Sequence, residues 1–358
     1  MISYNWKLSE TEFEKNERYV FSCFSCGGGS SFGYKLSGFQ VVGCNEIDPK
    51  MMECYIANHH PLFPYLCDIR EFVKLSRSGK VAKGLFNLDI LDGSPPCSSF
   101  SMSGNRSNDW GKEKVFREGQ SSQVLDTLFF DFIELASILK PKIVIAENVK
   151  GLLQGDAIKY VRRIYNEFDN AGYYCQHHLF DASKMGVPQK RERVFFIAIR
   201  KDLRDLIPMK DISILNQSPY LDLRFNEKEI RICDIQLNLT EEIKNCCRED
   251  WDRLKNKQQN KYLQSRLISI NQVHPTVGAG YKSKASPMPE WDSKWMGKNE
   301  LCQIGSYPLD YNFLKVKPEY LIGMSVPPLM TYGIASRIKE QWFPYIPINE
   351  NFMDFLWG

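Results

Sequence analysis

The sequence contains no long run of hydrophobic residues, and the segment that opens it, "MISYNWKLSETEFEKNERYV", is polar and charged. A helix that spans a membrane needs about 18 or more consecutive apolar residues. A secretory signal needs an apolar core of its own. Because both are missing, we expect no membrane association and a cytoplasmic location.

The glycine pattern of dinucleotide-binding enzymes, G-x-G-x-x-G, is also missing. Gly27, Gly28 and Gly29 follow a predicted strand, but Phe32 stands where the last glycine of that pattern would be. In dinucleotide enzymes this last glycine allows close packing of the helix on the strand. A hydride-transferring dehydrogenase is therefore disfavoured.

The cysteine spacing of a structural zinc site is incomplete. Cys23 and Cys26 form one C-x-x-C pair, and the adjacent Cys246 and Cys247 do not form a second. Such a site needs two ligand pairs at suitable spacing, so we expect no metal. The odd total of 11 cysteines indicates free thiols in a reducing compartment rather than a disulfide framework.

The composition is that of a globular protein. Hydrophobic residues make up 43% of the chain and charged residues 25%, which is enough apolar material for a full core. The length of 358 residues indicates two domains, or one large domain with an insertion. The net charge of +3 permits a nucleic-acid partner without indicating one.

Short apolar runs alternate with helical periodicity over the first 200 residues. Strands are predicted at 18–24, 40–48, 65–69, 85–96, 142–149, 172–180 and 193–200, and helices after the glycine cluster and at 49–60, 123–140 and about 154–171. This alternation predicts an α/β fold with a doubly wound, parallel, Rossmann-like sheet. In such sheets ligands bind beyond the carboxyl ends of the strands.

Polar groups suited to an adenosyl ligand follow the first three predicted strands. The glycines from Gly27 to Gly29 let the backbone approach a ligand closely, because no Cβ intervenes. Glu46 ends the second strand, where an acid can hold two ribose hydroxyls. Asp68 follows the third strand and could accept a hydrogen bond from an adenine amino group. For each acid taken alone, a strand-end cap or a solvated side chain is the alternative.

A cysteine that directly follows two prolines comes after the fourth predicted strand, in "DGSPPCSSFSMSG". Pro95 and Pro96 restrict the backbone up to Cys97, and the small polar residues after it are typical of a pliable loop that could close over a substrate. This arrangement fits a nucleophile. A structural thiol in a loop is the alternative.

Candidate partners for that nucleophile occur further along the chain. Glu147 ends an apolar strand, where desolvation favours the protonated acid. Arg191 and Arg193 alternate ahead of the last predicted strand, so they share a face. A surface ion-pair ladder is the alternative interpretation of this "KRER" segment.

The chain resembles the DNA cytosine-5 methyltransferases of bacterial restriction-modification systems. The resemblance is carried, in order, by "FSCGGGSSFGY", "NEIDP", "DI" at Asp68, "GSPPCSSFS", "ENV", "QKRER", "LCQIGSYPLDY" and "IGMSVPPLMTYGIA", which cover residues from about 20 to 199 and from about 300 to 340. Three positions depart from the family pattern: Cys26 replaces a glycine, Ser98 a glutamine and Met324 an asparagine.

The resemblance implies a Rossmann-like methyltransferase that uses S-adenosyl-L-methionine, releases S-adenosyl-L-homocysteine and needs no metal. Cys97 would attack carbon 6 of a flipped-out cytosine, Glu147 would act at ring nitrogen 3, Arg193 would hold the exocyclic oxygen, and Arg191 would brace the closed loop or a phosphate. The implied cofactor site comprises Phe24, Ser25, Cys26, Gly27, Gly28, Gly29, Glu46, Ile47, Asp68, Ile69, Pro95, Ser325 and Val326.

Three regions are expected: a catalytic domain at 1–199, a smaller target-recognition domain at 200–299, and a C-terminal segment at 300–358 that returns to the catalytic domain. Alternation fails in the middle region, where residues 253–266 contain five basic residues and no acid. Basic and amide side chains suit phosphates and base edges, although a solvated helix face is the alternative. The DNA-contact candidates are Ser103, Arg106, Gln189, Arg253, Lys255, Lys257, Lys261 and Lys282.

The expected partners are duplex DNA and a cognate restriction endonuclease encoded nearby, with the protein itself a monomer. Two alternatives stay open: the same chemistry on a transfer RNA, and a nucleic-acid-binding relative that has lost activity. The separate middle segment and the restriction-modification pattern favour DNA. The presence of Cys97, Glu147 and Arg193 argues against loss of activity.

Overall fold

The protein, in a computed structural model, is described over residues 3–96, 127–208, 218–235, 272–278 and 298–348. The strands are β1 (Tyr19–Cys23), β2 (Gln40–Glu46), β3 (Phe63–Leu66), β4 (Ile90–Gly93), β5 (Ile143–Val149), β6 (Tyr173–Asp181) and β7 (Glu192–Arg200). The α-helices are α1 (Gly29–Leu36), α2 (Pro49–His59), α3 (Ile69–Arg77), α4 (Leu128–Leu139), α5 (Ile158–Asn170), α6 (Lys298–Ile304), α7 (Pro318–Met324) and α8 (Pro328–Gln341).

All seven strands form one sheet in the order β3-β2-β1-β4-β5-β7-β6. The predicted α/β class and the existence of each strand are confirmed. The prediction of a wholly parallel sheet is wrong for β7, which pairs antiparallel with both β5 and β6. A parallel pair needs a crossover of a dozen or more residues. The short connection at 182–191 carries no crossover helix, so the chain returns from β6 in the opposite direction.

The third strand and its surroundings differ from the prediction. Strand β3 spans Phe63–Leu66 rather than 65–69, because Asp68 begins a helix by accepting a hydrogen bond from the Arg70 backbone at 2.8 Å. That helix, α3, was not predicted, although its buried residues have helical spacing: Ile69, Phe72, Val73 and Ser76. The predicted strand at 85–96 is also shorter, since a 3₁₀ turn occupies Lys83–Asn87 before β4.

Helices cover both faces of the sheet. One face packs against α3, α4 and α5 through side chains such as Phe72, Phe132 and Phe168. The other packs against α1 and α8, where Tyr34 and Ile338 are completely buried. The α8 helix belongs to the C-terminal part of the chain, so this part completes the core of the sheet. No helix within the described ranges is both long enough and apolar enough to span a bilayer.

A buried ionic cluster lies at the amino edge of the sheet, where β1, β4 and β5 begin. Asp89 is fully buried between Arg18 (3.1 Å) and Lys142 (2.8 Å). Arg18 also donates a hydrogen bond to the Phe343 carbonyl at 3.0 Å. The cluster therefore fastens the segment after α8 to the sheet, at the edge opposite the carboxyl ends of the parallel strands.

Candidate active site

The chain turns sharply from β1 into α1 through the glycine loop, residues 24–29. Phe24, Cys26 and Gly28 have φ angles of 52°, 48° and 79°. This left-handed region suits glycine, so Phe24 and Cys26 hold a backbone conformation that residues with a side chain rarely adopt. The loop is closed on one side by the C-terminal segment, because a Cβ on Gly29 would lie 2.1 Å from the Val326 carbonyl oxygen.

Glu46 ties this loop to the end of β2. Its side chain is buried and accepts hydrogen bonds from the backbone N–H groups of Cys26 (2.8 Å), Ile47 (2.9 Å) and Asp48 (2.9 Å). These bonds hold the backbone of the glycine loop against the end of β2. Glu46 lies where the sequence predicts it, at the carboxyl edge of the sheet.

Asp68 lies at the start of α3, beyond the end of β3. Its side chain is 30% exposed and lies 3.9 Å from Arg70, which also contacts Asp131 at 3.4 Å. The neighbouring Ile69 is buried and packs into the core. Asp68 therefore remains accessible from solvent while its backbone is held by the helix.

The residues at this edge fit an adenosyl cofactor. Glu46 and Asp68 are acceptors at the ends of adjacent strands, and the half-buried Phe24 follows the end of β1, the next strand of the sheet. Ribose hydroxyls and an adenine amino group are donors, so they match such acceptors. Pro95, Ser325 and Val326 are buried; Val326 packs on the glycine loop, and Ser325 donates a hydrogen bond to the Leu321 carbonyl.

A largely buried ion pair joins β5 to β7. Arg193 Nε lies 2.9 Å from Glu147 Oε1, and these side chains are only 16% and 12% exposed. Burial lowers the pKa of Arg193, while the Glu147 carboxylate opposes that shift. The pair therefore joins the two strands through side chains that are both largely shielded from solvent.

Asn148 connects the end of β5 to the segment that carries the candidate nucleophile. Its side-chain amide donates a hydrogen bond to the Pro95 carbonyl at 3.2 Å, and the side chain is buried. Asn148 lies inside the "ENV" motif, next to Glu147. The bond sets the path of the chain as it enters the Pro-Pro-Cys segment.

Arg191 is directed into the protein rather than toward a phosphate. Its guanidinium is buried and donates to the carbonyls of Val277 (3.3 Å) and Gly323 (3.1 Å). Burial, together with the nearby positive charge of Arg193, lowers the pKa of Arg191 to about 9. It therefore joins β7 to two segments that are distant in the sequence, 272–278 and α7.

Gln189, a predicted DNA contact, is completely buried. Its Oε1 accepts a hydrogen bond from the Val277 N–H at 3.1 Å, and its Nε2 donates to the Ile304 carbonyl at 3.3 Å. Both ends of the amide are thus used within the protein. We call residues 272–278 the strap, because Gln189 and Arg191 hold them against the start of β7.

Several predicted site residues lie outside the described part of the chain. They are Cys97, Ser103, Arg106, Arg253, Lys255, Lys257, Lys261 and Lys282. Within the described ranges, no group of three or more His, Cys, Asp or Glu side chains is arranged to hold a metal ion.

A doubly wound sheet, with a glycine loop after β1 and acids at the ends of β2 and β3, defines a Rossmann-like domain of the nucleotide-binding class. The match to known families is more specific. Residues 19–340 match C-5 cytosine-specific DNA methylases, and the chain belongs to that family.

Two relatives by sequence are bacterial proteins. The chain is 34% identical over 184 residues to type II methyltransferase M.FnuDI of Fusobacterium nucleatum, which covers 51% of this chain and 47% of that protein. It is 31% identical over 205 residues to type II methyltransferase M.Sau96I of Staphylococcus aureus, covering 56% and 44%. The chain spans about half the length of the relatives it matches.

Solved structures share the fold. A prophage-encoded protein of Escherichia coli superimposes with a TM-score of 0.60 at 19% identity, covering 90% of this chain and 99% of that one. Spodoptera frugiperda DNMT2 superimposes with a TM-score of 0.59 at 16% identity, covering 91% and 99%. At these identities the likeness concerns the fold.

Proposed function

We propose that the protein transfers a methyl group from S-adenosyl-L-methionine to carbon 5 of cytosine in a short duplex DNA site. The observation that carries this proposal is the buried Glu147–Arg193 pair beside Asn148, which is bonded to the Pro-Pro-Cys segment. Membership of the C-5 cytosine-specific DNA methylase family supports it. Relatives named as type II methyltransferases support a role in protecting DNA in a restriction-modification system.

The target base would be flipped out of the duplex, because the reacting atoms are inaccessible in a stacked base. The thiolate of Cys97 would add to carbon 6, and the electron pair of the 5,6 double bond would make carbon 5 nucleophilic. Glu147 would hydrogen-bond ring nitrogen 3, while Arg193 holds the exocyclic oxygen. After the methyl group has been transferred to carbon 5, loss of the carbon 5 proton would restore the 5,6 double bond and release Cys97 as the thiolate.

S-adenosyl-L-methionine would supply an electrophilic methyl group. Phe24 would contact its adenine, Glu46 its ribose hydroxyls and Asp68 its adenine amino group. The remaining contacts would come from the glycine loop and from Ile47, Ile69, Pro95, Ser325 and Val326.

For the DNA, we propose that Ser103 and Arg106 contact the substrate near the flipped base, and that the basic segment at 253–266 and Lys282 contact the duplex. Arg191 and Gln189 would act indirectly, by holding the strap. We further propose that the protein works as a cytoplasmic monomer alongside a cognate endonuclease.

Bisulfite sequencing of a plasmid incubated with the protein and S-adenosyl-L-methionine tests the function. We expect cytosine protection at one short sequence, and none with the Cys97→Ser variant because it lacks the thiolate nucleophile. The same incubation is repeated with transfer RNA. Protection of the RNA alone would replace DNA by RNA as substrate, and protection of neither would contradict methyl transfer to cytosine.

A further inference from the structure

One buried carboxylate in the sheet has no role in the chemistry described above. Asp92, in β4, is 3% exposed and accepts hydrogen bonds from three hydroxyl groups. Ser22 (2.8 Å) and Ser30 (2.7 Å) donate to Oδ2, and Tyr34 (3.0 Å) donates to Oδ1. Among the described residues, no Lys, Arg or His lies within salt-bridge distance of Asp92.

The donors lie on both sides of the glycine loop. Ser22 is in β1, just before the loop, and its backbone is in register with Asp92. Ser30 is in the first turn of α1, just after the loop, and Tyr34 is one turn further on. A single carboxylate therefore holds the beginning and the end of the loop that would bind the cofactor.

The same strand leads directly to the candidate nucleophile. After Asp92 the chain continues through Gly93 and Ser94 to Pro95, where the bond from Asn148 is made. Gly93 has little room to move, since a Cβ there would lie 2.5 Å from the Phe132 ring. Any shift of Asp92 relative to α1 would consequently displace the start of the Pro-Pro-Cys segment.

Linking a strand to a helix through a buried carboxylate has a high desolvation cost. A buried carboxylate without a cation is disfavoured by desolvation, and burial raises the pKa of Asp92 to about 6 despite the three hydrogen bonds that lower it. What a carboxylate provides is acceptor capacity only, so each hydroxyl must donate to it. This sets the orientation of all three hydroxyl groups and, with them, the position of α1.

We propose that Asp92 is a positioning residue that fixes the glycine loop and α1 relative to the Pro-Pro-Cys segment, so that cofactor binding and the placement of Cys97 depend on the same carboxylate. This inference rests on the proposed function. It assigns Asp92 no contact with substrate or cofactor. Its effect is transmitted through Ser30 and Tyr34 on one side and through β4 on the other.

A matched pair of serine variants tests the cofactor side. Ser22→Ala and Ser30→Ala each remove one buried hydrogen bond to the same oxygen, so their losses in thermal unfolding temperature should be similar. Ser22 joins two strands that already pair, whereas Ser30 joins β4 to α1, the helix that follows the glycine loop. By calorimetry, we expect Ser30→Ala to weaken binding of S-adenosyl-L-homocysteine about fivefold, the factor that corresponds to one hydrogen bond. Ser22→Ala should change it less than about twofold, and Ser30→Thr should restore it.

Two further variants test the nucleophile side. Asp92→Asn and Tyr34→Phe are compared with wild type for the rate of covalent adduct formation on duplex DNA that contains 5-fluorocytosine, at saturating cofactor. We expect both to slow the adduct about tenfold or more, a factor that corresponds to ~1.4 kcal/mol, while circular dichroism shows the fold retained. Wild-type rates in whichever variant folds would overturn the link to Cys97.

The outcomes separate this inference from the proposed function. Equal effects of Ser22→Ala and Ser30→Ala on S-adenosyl-L-homocysteine affinity would show that Asp92 is only a structural tie. Cofactor binding without any DNA methylation would overturn the proposed function. The comparison of Ser22→Ala with Ser30→Ala would still show whether Asp92 affects cofactor affinity. Failure of the wild-type protein to bind S-adenosyl-L-homocysteine would overturn both.

Discussion

At the residue scale, the candidate site contains an ion pair, Glu147 with Arg193, that is largely shielded from solvent. Glu147 and Arg193 are a nearly buried pair, and their neighbour Glu192 forms an exposed pair with Lys150 at 2.7 Å. The two acids thus lie close in space but differ in environment. Under the proposed function, only the less exposed Glu147 would act on a base that enters the site.

Replacement of Glu147 by glutamine tests this difference. Glu147→Gln keeps the shape of the side chain but cannot carry the proton or the charge. We expect methyl transfer to fall by about a hundredfold to ten-thousandfold, with duplex DNA binding little changed. Glu192→Gln is the matched control and should stay within about twofold of wild type, since an exposed ion pair contributes little. Initial rates of radiolabelled methyl incorporation measure both. Equal losses in the two variants would contradict the assignment.

Asp92 makes stability depend on pH in a predictable direction. Its pKa is raised from 3.8 to about 6 by burial, so in this window the folded protein keeps a proton that the unfolded chain has lost. The contribution of Asp92 to stability is therefore complete at pH values below 3.8, and it is lost as the pH rises through the folded-state pKa of about 6. The pKa values of the neighbouring Cys23, Tyr34 and Tyr55 are raised well above their ordinary values, so these groups stay neutral there, and Glu147 is the charged neighbour.

Asp92→Asn stays neutral at every pH, so it should gain stability relative to wild type as the pH rises from about 4 to about 7. The gain is on the order of 3 kcal/mol at most. Urea unfolding of both proteins at a series of pH values measures it. A stability difference that does not vary with pH would show that Asp92 does not titrate in this range.

At the element scale, the start of β7 organises three distant segments. Gln189 and Arg191 hold the strap and the ends of α6 and α7, and Arg193 follows them in the ion pair with Glu147. A displacement of the strap would therefore reach the Glu147–Arg193 ion pair through a few residues of one strand. This couples the region expected to recognise the target to the region expected to react with it.

Gln189→Ala should release the strap. The variant leaves the Val277 N–H without its acceptor, and an unsatisfied buried donor costs about 1–3 kcal/mol. We expect faster hydrogen exchange at the Val277 amide and weaker binding to the target duplex. Gln272→Ala is the matched control, because Gln272 is an exposed residue of the same strap. Unchanged exchange at Val277 in Gln189→Ala would show that the hydrogen bond does not hold the strap.

At the scale of the whole molecule, the candidate site and the main buried ionic cluster lie at opposite edges of the sheet. The glycine loop, Glu46, Asp68 and the Glu147–Arg193 pair lie at the carboxyl edge, whereas the Asp89 cluster lies at the amino edge. The C-terminal part contributes to both edges, since Val326 closes the glycine loop and the Phe343 carbonyl receives the Arg18 bond. Substitutions at the two edges should accordingly have different consequences.

Asp89→Asn should destabilise the protein without affecting the site. Removing one partner of a buried ion cluster leaves Arg18 and Lys142 uncompensated and costs about 3–5 kcal/mol. Chemical denaturation should show this loss, while S-adenosyl-L-homocysteine affinity stays at the wild-type value under native conditions. In Asp202→Asn, which removes an exposed pair with Arg200, the loss should be under about 1 kcal/mol. A larger effect on affinity than on stability would contradict the separation of the two edges.

The sequence by itself determined the fold class, the family and the strands that carry the site. Apolar runs and helical periodicity are local properties, and the motifs occur in a fixed order, so seven strands could be predicted, together with the position of Glu46 at the end of β2 and of Glu147 near the end of β5. Tertiary structure alone decided the antiparallel direction of β7, the ion pair of Glu147 with Arg193, the burial of Gln189, and the three hydroxyl groups gathered by Asp92 from across the chain. The physical reason is that the charge state and the exposure of a side chain depend on the residues that packing brings next to it. Many of these residues are distant in the sequence, so local sequence patterns do not identify them.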